Sequence, residues 1–473
     1  MVCGQKSILN SAKFLVLPIL VCTIASAAFA DIAKPSVTPA TSVPTFTKDV
    51  APIVFKQCAE CHRPGEVAPF PLLSYTQVRK HAKEIVDVTQ NRQMPPWKAA
   101  HGYGDFIGER RLTDQQIATI AAWANGGKPE GNSADLPPLP KFTEGWSAGQ
   151  PDMVVKIPHP FKLQTQGRDQ FRVFVIPLNL TEDKYVRAVD FRASNPKVVH
   201  HALFFLDNSG QGRELEQEAK DKSGDPMQPG YERTGGPGFR PSGGLGGWAP
   251  GYVPEFLPDG VGRPIRRGAD LVVQEHFHPS GKAEEEQSMI GLYFTKKPPQ
   301  KILVTTMHGA PLDIPAGDSN YETTGSFKVP FGVQVSGIIP HAHLLCKEIQ
   351  VQATLPDGTD LPLIWIKDWD WNWQEQYQYK KPINIPSGTQ VTMRFRYDNS
   401  AANPRNPTIP PREVKFGEQT SDEMALVFFQ ILLDRQTYEM MEANPGIIAR
   451  LLGGGRGRRG AGNPSTQPAA VRN

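Results

Sequence analysis

Beyond residue 140 the apolar residues recur at alternate positions in short runs, as in Gln170–Ile176, Leu271–His276 and Gln390–Arg396. Period two is the repeat of a strand with one buried face, and runs this short cannot fill an ordinary helix. Glycine and proline contribute 43 and 45 of the 473 residues, so the chain turns often and a mostly β fold is expected. A chain this long divides into several domains. With 39% hydrophobic residues it can fill several cores, while a mean hydropathy of -0.39 excludes a bundle of membrane spans. The formal charge of +3 loses two units with leader residues Lys6 and Lys13, too weak a bias to draw nucleic acid.

Residues 1–30 read as a cleaved export signal: Lys6 and Lys13, an apolar run Phe14–Ala27, then Ala28-Phe29-Ala30 before Asp31. The run is too short to span a bilayer, no later stretch could do so, and a periplasmic or secreted location follows. Cys22 lacks the small residues that precede a lipid-modified cysteine. Of five cysteines, Cys3 and Cys22 leave with the signal, so Cys58, Cys61 and Cys346 remain and there is no disulfide framework. Residues 31–45 form a flexible linker rich in Pro, Ser, Thr and Ala, and 453–473 a disordered tail of Gly, Pro, Ala and Arg.

Residues 46–130 carry helical periodicity. Val50, Ile53 and Val54 share a face, a second run covers Tyr75–Gln90, and a third covers Asp114–Asn125 between the capping box Thr113/Gln116 and Gly126-Gly127. Within this segment Cys58-Ala59-Glu60-Cys61-His62 has the C-x-x-C-H spacing at which two thiols attach a haem and the next imidazole reaches its iron. A redox dithiol or half a zinc site would need a βαβ context or a second cysteine pair, and neither is present. Met94, on the proline-stiffened Gln93-Met94-Pro95-Pro96-Trp97, is the expected sixth iron ligand, with His81 and His101 as competitors. The segment resembles class I c-type cytochromes, which implies one covalent haem c that passes electrons.

Six of the eleven histidines fall in three clusters: His200-His201, His276-Phe277-His278 and His341-Ala342-His343. In a strand, positions i and i+2 share a face, so a His-x-His presents two imidazoles to one ion, whereas adjacent histidines need a bulge or strand end to converge. The alternative is polar residues on a wet strand face. Imidazole sites suit Zn, Cu, Ni or Fe, and spacing alone leaves the metal open.

Most of residues 150–445 is similar to the copper type II, ascorbate-dependent monooxygenases, the family of peptidylglycine α-hydroxylating monooxygenase and dopamine β-monooxygenase. The resemblance implies an electron-transfer copper on His200, His201 and His276, and an oxygen-activating copper on His341, His343 and the Met424 of Thr420-Ser421-Asp422-Glu423-Met424. His278 has no role in that pattern and is expected at the surface or behind the ligands. Cys346 is expected as a buried apolar thiol rather than an extra ligand. Gly247-Trp248-Ala249-Pro250-Gly251, Tyr397-Asp398-Asn399-Ser400-Ala401 and the stripe Trp369/Trp371/Trp373, taken to alternate along one strand, look like bacterial members of the group. The stripe is expected to pack a core, with a wall of the substrate pocket as the other reading. Peptide-amidating members have an arginine two residues before the His-x-His and polar groups two and four residues after the methionine. Ile339, Leu426 and Phe428 stand there here, so a C-terminal glycine peptide is not the expected substrate and the pocket should be more apolar.

The expected architecture is a small all-α cytochrome c domain at 46–130, followed by two tandem antiparallel β-sandwiches of jelly-roll type at 150–300 and 301–450. They are divided near Lys296–Gln300, with a long ordered loop over Gly224–Gly268. The expected function is an exported copper monooxygenase that hydroxylates a C–H bond of a small, fairly apolar substrate with O2. It would use two coppers and one haem c, with electrons from the haem domain, ascorbate or a redox partner protein. The alternative is a non-enzymatic haem and copper electron carrier or copper-binding protein. A zinc hydrolase would need a carboxylate base beside an open metal, and no candidate stands out.

Overall fold

The computed structural model describes residues 43–444 apart from Gly65, Val67, Thr143, Glu144, Pro250, Gly251, Val253 and Glu418. The export signal, most of the linker and the tail lie outside the described residues, as does part of the Gly247–Gly251 motif.

The first described elements are helical: Ala51–Gln57, Tyr75–Lys80, Ala82–Gln90 and Asp114–Asn125. The last opens on the expected capping box. Thr113 Oγ1 accepts from Gln116 N at 3.2 Å, and Gln116 Oε1 accepts from Thr113 N at 2.9 Å. Phe46, Val54, Val78, Ile120 and Trp123 close a common core between these helices.

Beyond residue 150 strands dominate, and the chain is mostly β with several sheets. A five-stranded sheet runs in the order 231–232, 170–177, 270–277, 199–207, 243–248. A four-stranded sheet runs 321–328, 390–397, 346–354, 360–366. An eight-stranded sheet runs 153–156, 289–294, 184–192, 261–265, 301–309, 426–434, 333–341, 377–385. Its pairings are antiparallel except at one place, where Val261 and Gly262 lie parallel to Lys301 and Ile302. The long sheet therefore runs on across residues 296–300.

Each half of the long sheet faces a smaller sheet across an apolar interior. Phe174, Phe204 and Val273 meet Phe191 and Ile290 in the first interior. Ile349, Leu363 and Phe395 meet Ile338 and Phe429 in the second. Strand 390–397 alternates as one-faced burial requires, whereas 170–177 and 270–277 are buried on both faces, Val173, Val175 and Val272 packing on the far side with Tyr231 and Leu215.

Four features differ from the sequence reading. Ala99 and Phe106, assigned above to the haem segment, pack into the second interior, bridging to Ile366 and Tyr379. Two helices interrupt the β region, Gln211–Ser223 and Arg435–Glu442. The first is too polar to show an apolar stripe, with Gly212 as its only buried residue. The Gly/Pro-dense 224–268 is not one loop, because it contributes strands 231–232, 243–248 and 261–265. Gly247 lies so close to the next strand that a Cβ would sit 2.8 Å from Ala202 O. A strand selected for this close approach carries no side-chain alternation to read. The tryptophan stripe is not on a strand either. Trp369, Trp371 and Trp373 lie in the connection 367–376 between strands 360–366 and 377–385. Among the described residues, no helix is long and apolar enough to cross a membrane.

Candidate functional site

The adjacent pair His200-His201 opens the strand Val199–Asp207 on the bulge that neighbouring histidines need. Val199 pairs with Phe277 and His201 with His276, so His200 is the extra residue. The bulge turns both rings toward His276 on the next strand. Ring centroids are 4.9 Å apart for His200–His276 and 4.8 Å for His201–His276. One nitrogen from each ring falls within 4.8 Å of the other two, and no other His/Cys/Asp/Glu trio does so among the described residues.

The nitrogen involved can be assigned from hydrogen bonds. His276 Nε2 is 2.9 Å from Asp169 Oδ2, and its Nδ1 is buried with no partner. The Nδ1 atoms of His200 and His201 lie 3.1 Å apart with no carboxylate between them. A buried, unpaired Nδ1 beside two further imidazoles is costly unless something binds there, and an imidazole-seeking metal ion fits this donor set. Burial, with His276 nearby, lowers the pKa of His200 to about 3 and that of His201 well below its ordinary value, so both rings are neutral, the form that ligates a metal.

Asp169 was not singled out from the sequence. It precedes the strand Gln170–Pro177 and uses its other oxygen on exposed His278 Nδ1, at 2.7 Å. Thr420 Oγ1 also donates to Asp169, four residues before Met424. Burial opposes the charge, but the bonds from His276 and Thr420 outweigh it and hold this carboxyl below its usual range. His278 thus shares a carboxylate with His276 and does not join the trio. Phe171 stacks on His276 at 4.2 Å. Beyond Asp169 and Phe171 a cavity of about 520 Å³ opens, with Lys222, Arg233 and Gln419 in its wall.

The second pair lies at a strand end rather than along a strand. His341 is the last residue of Val333–His341, His343 lies two residues on, and their rings are 5.4 Å apart. Here Nδ1 is the anchored atom: His341 Nδ1 pairs with Gln374 Oε1, and His343 Nδ1 with Asp422 O at 3.1 Å. That leaves Nε2 of each ring for an ion, the reverse of the first trio. Burial lowers His341 to about 4 and His343 to about 3.

Met424 is buried and its carbonyl accepts from Tyr397 Oη at 2.8 Å. Glu423 joins it to the histidine turn. This fully buried carboxyl accepts from the backbone N–H groups of His343, Leu345 and Met424. Burial raises its pKa to about 8 even against those donors. Glu423 and Gln374 show no sequence signal of their own, since only the fold brings them to the histidines. Cys346 is buried in the second interior with Sγ on Glu348 O at 3.7 Å.

The two histidine groups are neighbours. Trp371 stacks on His200 with centroids 4.6 Å apart and planes 16° from parallel, and meets His343 edge-on at 5.0 Å and 82°. In the helical segment, His62 Nδ1 lies 3.0 Å from Phe70 O, which fixes the tautomer and leaves Nε2 as the free donor. Cys58 and Cys61 are free thiols. Burial, with Cys61 nearby, pushes Cys58 up to about 12, and burial raises Cys61 too, which opposes a thiolate-based redox pair. This donor set fits a covalently held haem. Met94 begins the turn after helix Ala82–Gln90, its N–H on Val88 O at 3.1 Å. His81 stacks on Phe70 at 3.7 Å. His101 is exposed.

No family model matches the chain, and no curated protein matches it. Among solved structures it aligns with the major capsid protein P2 of bacteriophage PM2 at 8% identity, over 50% of this chain and 99% of that one, with a TM-score of 0.19. A xanthan lyase from Paenibacillus aligns at 10% identity over 64% of this chain and 27% of that one, with a TM-score of 0.16. Scores this low say nothing about fold family or function.

Proposed function

We propose that the protein is an exported copper monooxygenase of the peptidylglycine α-hydroxylating and dopamine β-monooxygenase type, fused to a c-type cytochrome domain. The observation that carries this reading is the opposite anchoring of two neighbouring histidine groups. One brings a nitrogen from each of three imidazoles within 4.8 Å of one another, with His276 Nε2 on Asp169 and its Nδ1 buried and partnerless; the other has both Nδ1 atoms anchored, leaving two Nε2 atoms beside the segment that bears Met424. Copper held at the two sites would supply one-electron storage at the first and dioxygen activation at the second, where a thioether favours the reduced ion.

The chain's own residues set up that difference. Asp169 holds the His276 tautomer, Gln374 and the Asp422 carbonyl hold those of His341 and His343, and Glu423 locks the histidine turn to Met424. The wall of the Phe171 cavity carries Lys222 and Arg233 together with Asp169 and Glu232, so its charge is balanced and does not choose the reductant. A haem held by Cys58, Cys61 and His62, with Met94 as its further ligand, would supply electrons to the histidine groups. Ile339, Leu426 and Phe428 favour a small apolar substrate over a peptide carboxylate.

Metal analysis with the pyridine haemochrome spectrum tests the cofactors, with two coppers expected per haem. Met424→Ile should abolish substrate-dependent O2 uptake while haem redox cycling persists. The rival, a haem and copper electron carrier, predicts no substrate-dependent O2 uptake in the unmodified protein.

A further inference from the structure

Trp371 is half-buried and not part of either interior, yet its ring touches an imidazole from each histidine group. Its connection, 367–376, is fastened on both sides. Toward the haem segment, Lys98 pairs with Asp368 at 3.0 Å and with Asp370 at 3.8 Å, and Arg110 pairs with Glu375. Toward the histidines, Gln374 binds His341, and Gln374 Nε2 returns to Trp371 O at 3.1 Å. Trp369 anchors the base, fully buried with Nε1 donating to His343 O at 3.1 Å. Nothing among the described residues accepts from Trp371 Nε1, so the indole is not held there for its polar handle. What remains is a π-system held face-on to one group and edge-on to the other.

We propose that Trp371 is the bridge through which electrons cross between the His200/His201/His276 site and the His341/His343/Met424 site. This rests on the reading above that both sites hold copper. Electronic coupling falls steeply with the width of a gap, and an aromatic ring in contact with both imidazoles divides the crossing into two short through-space steps. Each crossing moves one electron. Copper at the first site goes from Cu(I) to Cu(II), copper at the second goes from Cu(II) to Cu(I), no bond forms or breaks, no proton moves, and the indole ends as it began. The electron lost by the first site is replaced from ferrous haem or from a one-electron reductant such as ascorbate.

The test uses the full chain loaded with haem and two Cu(II) ions, mixed with less ascorbate than would reduce both coppers. Rapid-freeze-quench electron paramagnetic resonance follows the two Cu(II) signals, assigned with Met424→Ile. In the unmodified protein the signals fall together, the Cu(II)/Cu(I) quotient at one site keeping a constant proportion to that at the other. In Trp371→Leu they fall in sequence, the second lagging by at least an order of magnitude, and Trp371→Phe, which keeps a ring, restores the parallel fall. Both variants keep two coppers. A parallel fall in Trp371→Leu overturns the bridge, as does loss of one copper from both variants, which would make the residue a packing element. An unmodified protein that binds fewer than two coppers overturns the underlying reading as well.

Discussion

Replacing Asp169 by Asn tests the geometry of the first histidine group most directly. Asp169 Oδ2 accepts from His276 Nε2 at 2.9 Å and Oδ1 from His278 Nδ1 at 2.7 Å, and Thr420 adds a third bond. While both oxygens accept, His276 carries its proton on Nε2 and keeps the Nδ1 lone pair free in a buried position without a partner. An amide satisfies only one side as acceptor. If its NH2 faces His276, the proton must move to Nδ1, the atom assigned to the ion. Loss of such a supporting partner costs ~10–100-fold in metal affinity, about 1.4–2.7 kcal/mol. The upper end is expected here because the alternative tautomer buries an N–H with nothing to accept it. Competition for Cu(I) against a chromophoric chelator, resolved by site, measures this. The first site should weaken ~100-fold and the second stay put. His278→Ala should change little, since that ring is 75% exposed. An Asp169→Asn protein that binds both coppers within twofold of the unmodified chain refutes the tautomer argument.

Gly247→Ala would place a Cβ 2.8 Å from Ala202 O and 2.9 Å from Leu203 Cδ2, on the strand that presents His200 and His201. The expected cost is ~1–3 kcal/mol, read as a lower urea midpoint, with weaker copper binding at the first site only; an unchanged midpoint counts against the close approach. A pH effect follows from His308, which stacks on Phe327 at 3.6 Å and which burial lowers to about 4 from 6.5. Its folded form prefers the neutral ring, so its contribution is complete above pH 6.5 and is lost as pH falls toward 4. Thermal melts of the metal-free protein should show His308→Phe losing less stability over that interval than the unmodified chain. Equal slopes would contradict the assignment.

Part of this arrangement was legible in the chain because it rests on local rules. Alternating runs such as Gln390–Arg396 became strands, and Thr113/Gln116 became a cap, since period and capping depend on neighbours in sequence. The need for a bulge at His200-His201 was legible for the same reason, as adjacent side chains cannot face one way without it. Asp169, Gln374 and Glu423 were not legible. Each acts on a histidine 33 to 107 positions away, and a lone Asp, Gln or Glu on a turn has no pattern that announces such a partner. The 367–376 connection was misread because its Trp-x-Trp-x-Trp spacing imitates a strand, while Asp370 and Asn372 between the tryptophans favour the turn that forms.

The contacts between the two histidine groups also bear on how a substrate could reach them. Besides the Trp371–His200 stack, the sides are joined by Thr420 to Asp169 and by Gln376 Nε2 to Gly247 O at 2.9 Å. Farther off, Arg266 binds Glu442 and Asp183, and the parallel pairing of Val261 with Lys301 continues the sheet. The sheet link lies away from the histidines and can act as the pivot, whereas the first three contacts would have to break for the groups to separate. At ~0.5–1.5 kcal/mol net for each neutral hydrogen bond or aromatic pair, and ~1.5–3 for the bond to the Asp169 carboxylate, separation costs ~2.5–6 kcal/mol. That corresponds to an open population between about one in seventy and about one in twenty-five thousand, so the closed arrangement dominates without being locked. Admission of a substrate between the sites would therefore compete with the Trp371 contact, and an electron would cross most readily when the groups are together.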